Sequence, residues 1–146
     1  MTTKLDHIAI FVRNLEDGID FYQSVVGFGE PIIREIPELH IRCAFFDPGE
    51  GGVIVELVEF SGEGDLSHGD VVVAIEVEDL DQALAHFRSK GVRVFDQAPT
   101  PNLPLRRGWV LKRDGHGTVI ELCPRGEVAR FVRGGAPGRR ARPSLP

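Results

Sequence analysis

Displaced by 65 residues, the chain matches itself: Ala9, Ile10 and Val12 fall on Ala74, Ile75 and Val77, Leu15 on Leu80, Tyr22 on Phe87, Ser24 on Ser89, Gly52 on Gly117, and Glu56-Leu57 on Glu121-Leu122. An internal repeat of this length marks a duplicated supersecondary unit. Within 146 residues neither half is large enough to bury its apolar face alone, so the two must fold around one core. A carboxylate recurring at matched places in two apolar strands predicts one shared cavity in which Glu56 and Glu121 face each other.

Each half carries the same order of elements. Leu5 to Val12 reads as a strand, and Leu15, Ile19, Tyr22 and Val26 then recur at helical spacing behind the N-cap Asn14, with Gly27 as the stop. Strands are expected over 28–36, 39–46 and 53–60, parted by Pro37 and by Asp47-Pro48-Gly49. The second half repeats this with a strand over 71–77, Asp79 as cap, a helix over 80–90 and Gly91 as stop. Strands follow over 92–97, 106–111 and 118–123. The expected architecture is α+β, two βαβββ modules over 4–60 and 70–125 joined by the Gly- and Ser-rich linker 61–69.

A net charge of −5 conceals an uneven split. Residues 126–146 hold five arginines (130, 133, 139, 140 and 142) against Glu127, a balance of +4 that leaves the body at −9. An acidic body argues against nucleic acid as a partner. The tail, rich in Gly, Pro and Arg, is expected to be disordered. No apolar run is long enough to span a bilayer. Met1-Thr2-Thr3-Lys4 opens no basic-then-apolar leader, and two distant cysteines suggest no disulfide framework. The expected location is therefore the cytoplasm.

Strand alternation assigns faces. His7, Ala9 and Phe11 share one side of the first strand, Ile54, Glu56 and Val58 one side of the fourth, and Val119, Glu121 and Cys123 one side of the last. The same rule points Cys43 and Phe45 inward with Gly108 and Val110, and places Arg106 near the rim. Arg106 and Arg107 are alternative anchors for a carboxylate or phosphate, since only one of two neighbours can point inward. Trp109, the sole tryptophan, is a candidate wall residue.

Asp6-His7-Ile8-Ala9-Ile10, the helix from Asn14-Leu15 to Tyr22, the strand Val-Ile-Val-Glu-Leu and the closing Gly-His-Gly-Thr-Val-Ile-Glu-Leu together resemble the vicinal oxygen chelate superfamily of glyoxalases, bleomycin-resistance proteins and extradiol dioxygenases. The pattern is most similar to methylmalonyl-CoA epimerase-like proteins and runs from about Lys4 to Arg125. The resemblance implies a cup-shaped eight-stranded mixed sheet, a homodimer, and a divalent metal (Mn, Co, Fe, Ni or Zn) held by His7, Glu56, Glu121 and a second imidazole. That second imidazole is absent, because Val72 stands in its place and His68 lies in the linker. The catalytic glutamate that the epimerase-like pattern puts near residue 43 is also absent.

Two readings follow. In the first, Glu121 or Glu56 moves a proton next to a carbonyl of a small oxygenated substrate, as in a lyase or isomerase, with a metal or a positioned donor holding the oxygen. Without a metal, two enclosed carboxylates would repel and one would take up a proton. In the second, the cup is metal-free and sequesters an apolar small molecule or drug unchanged against Phe11, Phe45, Val72, Ala74 and Trp109. The retained pair of carboxylates favours the enzyme, and Val72 favours the binder.

Overall fold

A computed structural model describes residues 3–135. Its strands are β1 (Lys4–Phe11), β2 (Ile32–Ile36), β3 (Ile41–Phe46), β4 (Ile54–Phe60), β5 (Val71–Val77), β6 (Phe95–Gln97), β7 (Arg107–Val110) and β8 (Val119–Pro124). Two helices lie between them, α1 (Leu15–Phe21), prolonged by a wider turn over Tyr22–Val26, and α2 (Leu80–Ser89). The eight strands form one mixed sheet in the order β2-β3-β4-β1-β5-β8-β7-β6. Within each module the first strand lies parallel to the last, β1 with β4 and β5 with β8. The modules join through antiparallel β1 and β5. The two modules are those the repeat predicts, and the curled mixed sheet is the one the family resemblance implies.

The helices start where capping chemistry places them. Asn14 Oδ1 accepts from Asp17 N at 2.9 Å, and Asp79 Oδ1 accepts from Gln82 N at 3.0 Å. Each satisfies an otherwise orphaned amide and stabilises its helix by about 1 kcal/mol. Gly27 ends the first helical segment at φ 96°, a left-handed conformation that a Cβ would strain.

Alternation divides the apolar side chains between the two faces of the sheet. One face packs Ala44 and Leu57 under α1, and Val77, Val110 and Leu122 under α2. The other lines the cup with Ala9, Phe11, Phe45, Val58, Val72 and Val119.

Two expectations are corrected. The tail is not structureless from residue 126. Glu127–Arg130 forms α3, which continues into a further turn over Phe131–Gly135 that is broken at Gly134 (φ 150°), and Val128, Phe131 and Val132 are buried in the cup-side core. Their i, i+3, i+4 spacing makes one apolar stripe despite the surrounding arginines. The rest of the expected tail, 136–146, lies outside the described residues. The second correction concerns β7. Residues 47–53 join β3 to β4 and residues 111–118 join β7 to β8, so the second connection is one residue longer. Pairing sets Phe45 opposite Glu56 but Trp109 opposite Glu121, an offset of 64 rather than 65. Because side chains alternate with period two, that residue inverts β7. Gly108 and Val110 face α2, and Arg107 and Trp109 face the cup.

Candidate active site

The centre of the cup is built where β1, β4 and β8 run side by side. His7, Glu56 and Glu121 project from these strands to a common point. His7 Nε2 lies 3.5 Å from Glu56 Oε1 and 3.4 Å from Glu121 Oε1, and both His7 and Glu121 are only 2 % exposed. A register irregularity in β1 between Leu5 and His7 leaves Asp6 unmatched on β5, as in a β-bulge. Asp6 thereby lies alongside His7, whose Nδ1 donates to Asp6 Oδ2 at 2.6 Å. This bond fixes the ring and aims Nε2 at the two glutamates.

Arg107 completes the centre. Its Nη1 donates to Glu121 Oε2 at 2.7 Å and its Nη2 to Gln97 Oε1 at 2.5 Å. Its guanidinium carbon sits 5.2 Å from the centre of the Trp109 ring, whose Nε1 donates to the same Gln97 oxygen at 2.9 Å.

These neighbours set the charges. Burial alone would raise the Glu121 pKa, but Arg107 and His7 outweigh it and bring the carboxyl down to about 2. Burial disfavours a charged His7, yet contacts with Asp6, Glu121 and Glu56 prevail and hold its pKa well above the ordinary imidazole value. The expectation that two enclosed carboxylates would raise the pKa of one therefore fails for Glu121, because two cations enter the balance. Burial pushes the Cys43 and Cys123 thiols up, so both remain protonated.

The cup opens into a cavity of about 240 Å³ whose lining includes Phe11, Val72, Trp109, Glu56, Glu121 and Arg107. Its other end is closed by Leu103, Leu105, Val128, Phe131 and Phe45 packed near His7. Phe11, Phe45, Val72 and Trp109 therefore lie on the cup walls as expected. Arg106 does not. It sits on the opposite face, with Nε donating to Asp96 at 2.9 Å and Nη2 to Asp81 at 2.7 Å, because the longer β7–β8 connection turned Arg107 inward instead. Cys43 points to the cup side but is wholly covered and lines neither compartment, so it offers no binding surface. His68 stays in the linker, accepting from Arg13 N at 3.0 Å.

Sequence reasoning passed over Asp6, Gln97 and α3, and did not settle on Arg107. The apolar spacing carried a signal for α3. The expected strands left equal connections in the two halves, so neither the inverted β7 nor the bulge at Asp6 leaves a comparable mark.

The four-ligand metal centre implied by the resemblance does not fit these residues. Val72, only 1 % exposed, presents hydrocarbon where the fourth ligand would stand. One oxygen of Glu121 is already bonded to a guanidinium, which also repels a dication. Asp6, His7 and Cys123 form a described group whose donor atoms lie within 4.8 Å of one another. That group is no better, since Asp6 Oδ2 and His7 Nδ1 are already bonded to each other.

Comparison with known proteins agrees with this architecture. Lactoylglutathione lyase of Neisseria meningitidis serogroup B is 29 % identical over 99 residues, covering 65 % of this chain and 72 % of that protein. Methylmalonyl-CoA epimerase from Mycobacterium tuberculosis superposes with a TM-score of 0.68 at 25 % identity over 86 % of this chain and 90 % of that one. A variant methylmalonyl-CoA epimerase of Streptomyces coelicolor in complex with 2-nitronate-propionyl-CoA gives 0.71 at 27 % identity, over 87 % and 97 %. The profile of the Glyoxalase/Bleomycin resistance protein/Dioxygenase superfamily matches residues 4–122, and with that match the chain belongs to this superfamily.

Proposed function

We propose that this protein is a lyase or isomerase that moves a proton next to a carbonyl group of a small oxygenated substrate. The observation that carries the reading is the unequal state of its two carboxylates. Glu121 is spent on Arg107 and His7, with a pKa near 2, and makes a poor base. Glu56 lines the cavity and meets only His7, at 3.5 Å, among the ion pairs of the described residues. Glu56 is therefore the base, and both carboxylates keep distinct tasks.

In the proposed cycle the substrate carbonyl enters between the apolar walls and presents its neighbouring C–H to Glu56. The proton passes to a Glu56 oxygen, and the electron pair of the C–H bond moves onto the carbonyl oxygen as an enolate. Protonated Glu56 then returns the proton to the same carbon after the enolate has turned to present its other face, or, where that carbon carries a hydroxyl, to the former carbonyl carbon while the hydroxyl proton passes to the enolate oxygen. Asp6 and Glu121 hold His7 beside Glu56 throughout. General-base catalysis of this kind contributes roughly 10²–10⁴-fold.

The names of the relatives supply the first compounds to try. Wild type is expected to exchange the C–H next to the carbonyl of lactoylglutathione or methylmalonyl-CoA with deuterium from solvent, followed by mass spectrometry. Glu56→Gln should slow that exchange by about 10²-fold or more. Exchange at the wild-type rate in Glu56→Gln would remove Glu56 from the chemistry.

The apolar wall of Phe11, Leu39, Ile41, Phe60 and Leu66 and the loss of an imidazole at Val72 favour a second reading, sequestration of an unreacted small molecule. Native mass spectrometry that finds an organic ligand retained and unchanged would support it. Our reading also takes the protein as a cytoplasmic homodimer. Exposed Phe21, Val25 and Val26 on one helical segment offer the apolar face a dimer needs. The two unpaired cysteines suit a reducing compartment.

A further inference from the structure

We propose that Arg107 is the resident cation of this cup, taking the place of a divalent metal and receiving the oxygen of the bound ligand. The inference rests on the proposed reaction for the meaning of that oxygen, but its tests are read without turnover.

Three structural facts converge on it. First, the extra residue between β7 and β8 turns Arg107 inward at the position matched in the first module by Cys43, so a guanidinium on a side chain only 12 % exposed lines the same cavity as Glu56. Second, the same chain has Val72, with no donor atom, at the position matched by His7. The first module carries an imidazole and no guanidinium at these matched positions, and the second a guanidinium and no imidazole. Third, Arg107 is held but not exhausted. Gln97 and Glu121 fix its two terminal nitrogens, and Trp109 covers its face. Its Nε is buried without a hydrogen-bond partner. A buried donor left unpaired is costly, so a guanidinium that turns this nitrogen toward a ligand oxygen in the cavity it lines gains a hydrogen bond on binding.

This assignment also closes the charge balance of the enolate step. As Glu56 gains a proton, negative charge moves to the carbonyl oxygen, and a rigid, always protonated guanidinium stabilises it with no ion to recruit.

Cobalt(II) titration, followed by visible absorption and by the fluorescence of Trp109, tests the first half. Wild type and Arg107→Lys are expected to show no cobalt spectrum. Val72→His combined with Arg107→Gln is expected to take up cobalt stoichiometrically, with the visible spectrum that wild type lacks. Stoichiometric cobalt uptake by wild type overturns the proposal, as does a double variant that folds, by circular dichroism, yet binds no better. The wild-type titration decides the matter even where the double variant fails to fold.

Oxalate, a planar mimic of an enolate, tests the second half. In the presence of a chelator wild type is expected to bind it, and Arg107→Gln to bind it at least about tenfold more weakly. Binding that appears only on adding cobalt, equal binding by Arg107→Gln, or no binding by wild type overturns the assignment. Loss of deuterium exchange with these binding results intact would instead count against the reaction alone.

Discussion

Replacing Phe131 by alanine removes the ring that closes the inner end of the cup. Phe131 is 5 % exposed, meets Phe45 edge-on at 6.2 Å between ring centres, and lies 5.5 Å from the Arg34 guanidinium carbon. Deleting a buried phenylalanine side chain costs about 3–5 kcal/mol in a closed core. The aromatic pair and the cation–π contact, each about 1 kcal/mol, are part of that figure. Because α3 is a short terminal segment that can settle into the space, the expected loss is at the low end, about 3 kcal/mol. For a domain of this size that corresponds to a fall in Tm of roughly 6–12 °C. Urea denaturation followed by circular dichroism measures the loss directly, with the slope against urea unchanged if the unfolded state is unaltered. A loss below about 0.5 kcal/mol, the range of ordinary surface substitutions, would mean that α3 does not belong to the core, and the closed end of the site would go with it.

Asp47 ties the same segment down from outside, accepting from Arg133 Nε at 2.7 Å and Nη2 at 2.9 Å. That bond holds the Asp47 carboxyl below its ordinary value. With the folded pKa lowered, the stabilisation is full above the unfolded aspartate value of about 4 and is lost as pH falls through the folded one. Asp47→Asn should cost about 0.5–1 kcal/mol at pH 7, and denaturation midpoints of wild type and variant should converge in acid. A gap that is constant with pH would show that the ion pair is not its source. Gly108→Ala tests the inverted phase of β7, since its Cβ would lie 2.8 Å from Leu84 Cδ2 and 3.4 Å from Leu122 Cδ1. Overpacking there should cost about 1–2 kcal/mol by urea denaturation, whereas a cup-facing Gly108 would take the methyl without loss and change ligand binding instead.

The curled sheet that brings the strands together came with the family resemblance. The order of elements in each module and the inward faces of His7, Glu56 and Glu121 were legible from periodicity, since a period of two fixes the face of each side chain and the 65-residue repeat matches the strands of the two halves. The same regularity hid Arg107. Extending the offset across β7 assumed equal connections, and the single extra residue before Thr118 sent Arg106 out and Arg107 in. Asp6 was lost for a related reason, since a bulge suspends alternation where it occurs. Val128, Phe131 and Val132 were masked by composition, as a stripe of three apolar residues was outweighed by the arginines and glycines around it. That Glu121 is held low was not legible, because charge balance needs every neighbour and its partner Arg107 had not been placed.

The longer connection before β8 has one consequence for stereochemistry. Two equal repeats would build a pocket with a two-fold axis, offering the same groups to either side of a flat intermediate. Here Phe45 answers to Trp109, Cys43 to Arg107 and His7 to Val72, so the axis survives in the backbone and in the Glu56–Glu121 pair and is broken in the groups around them. A trigonal carbon held in such a cup meets different chemistry on its two faces, which gives the protein a handedness that its duplicated scaffold lacks.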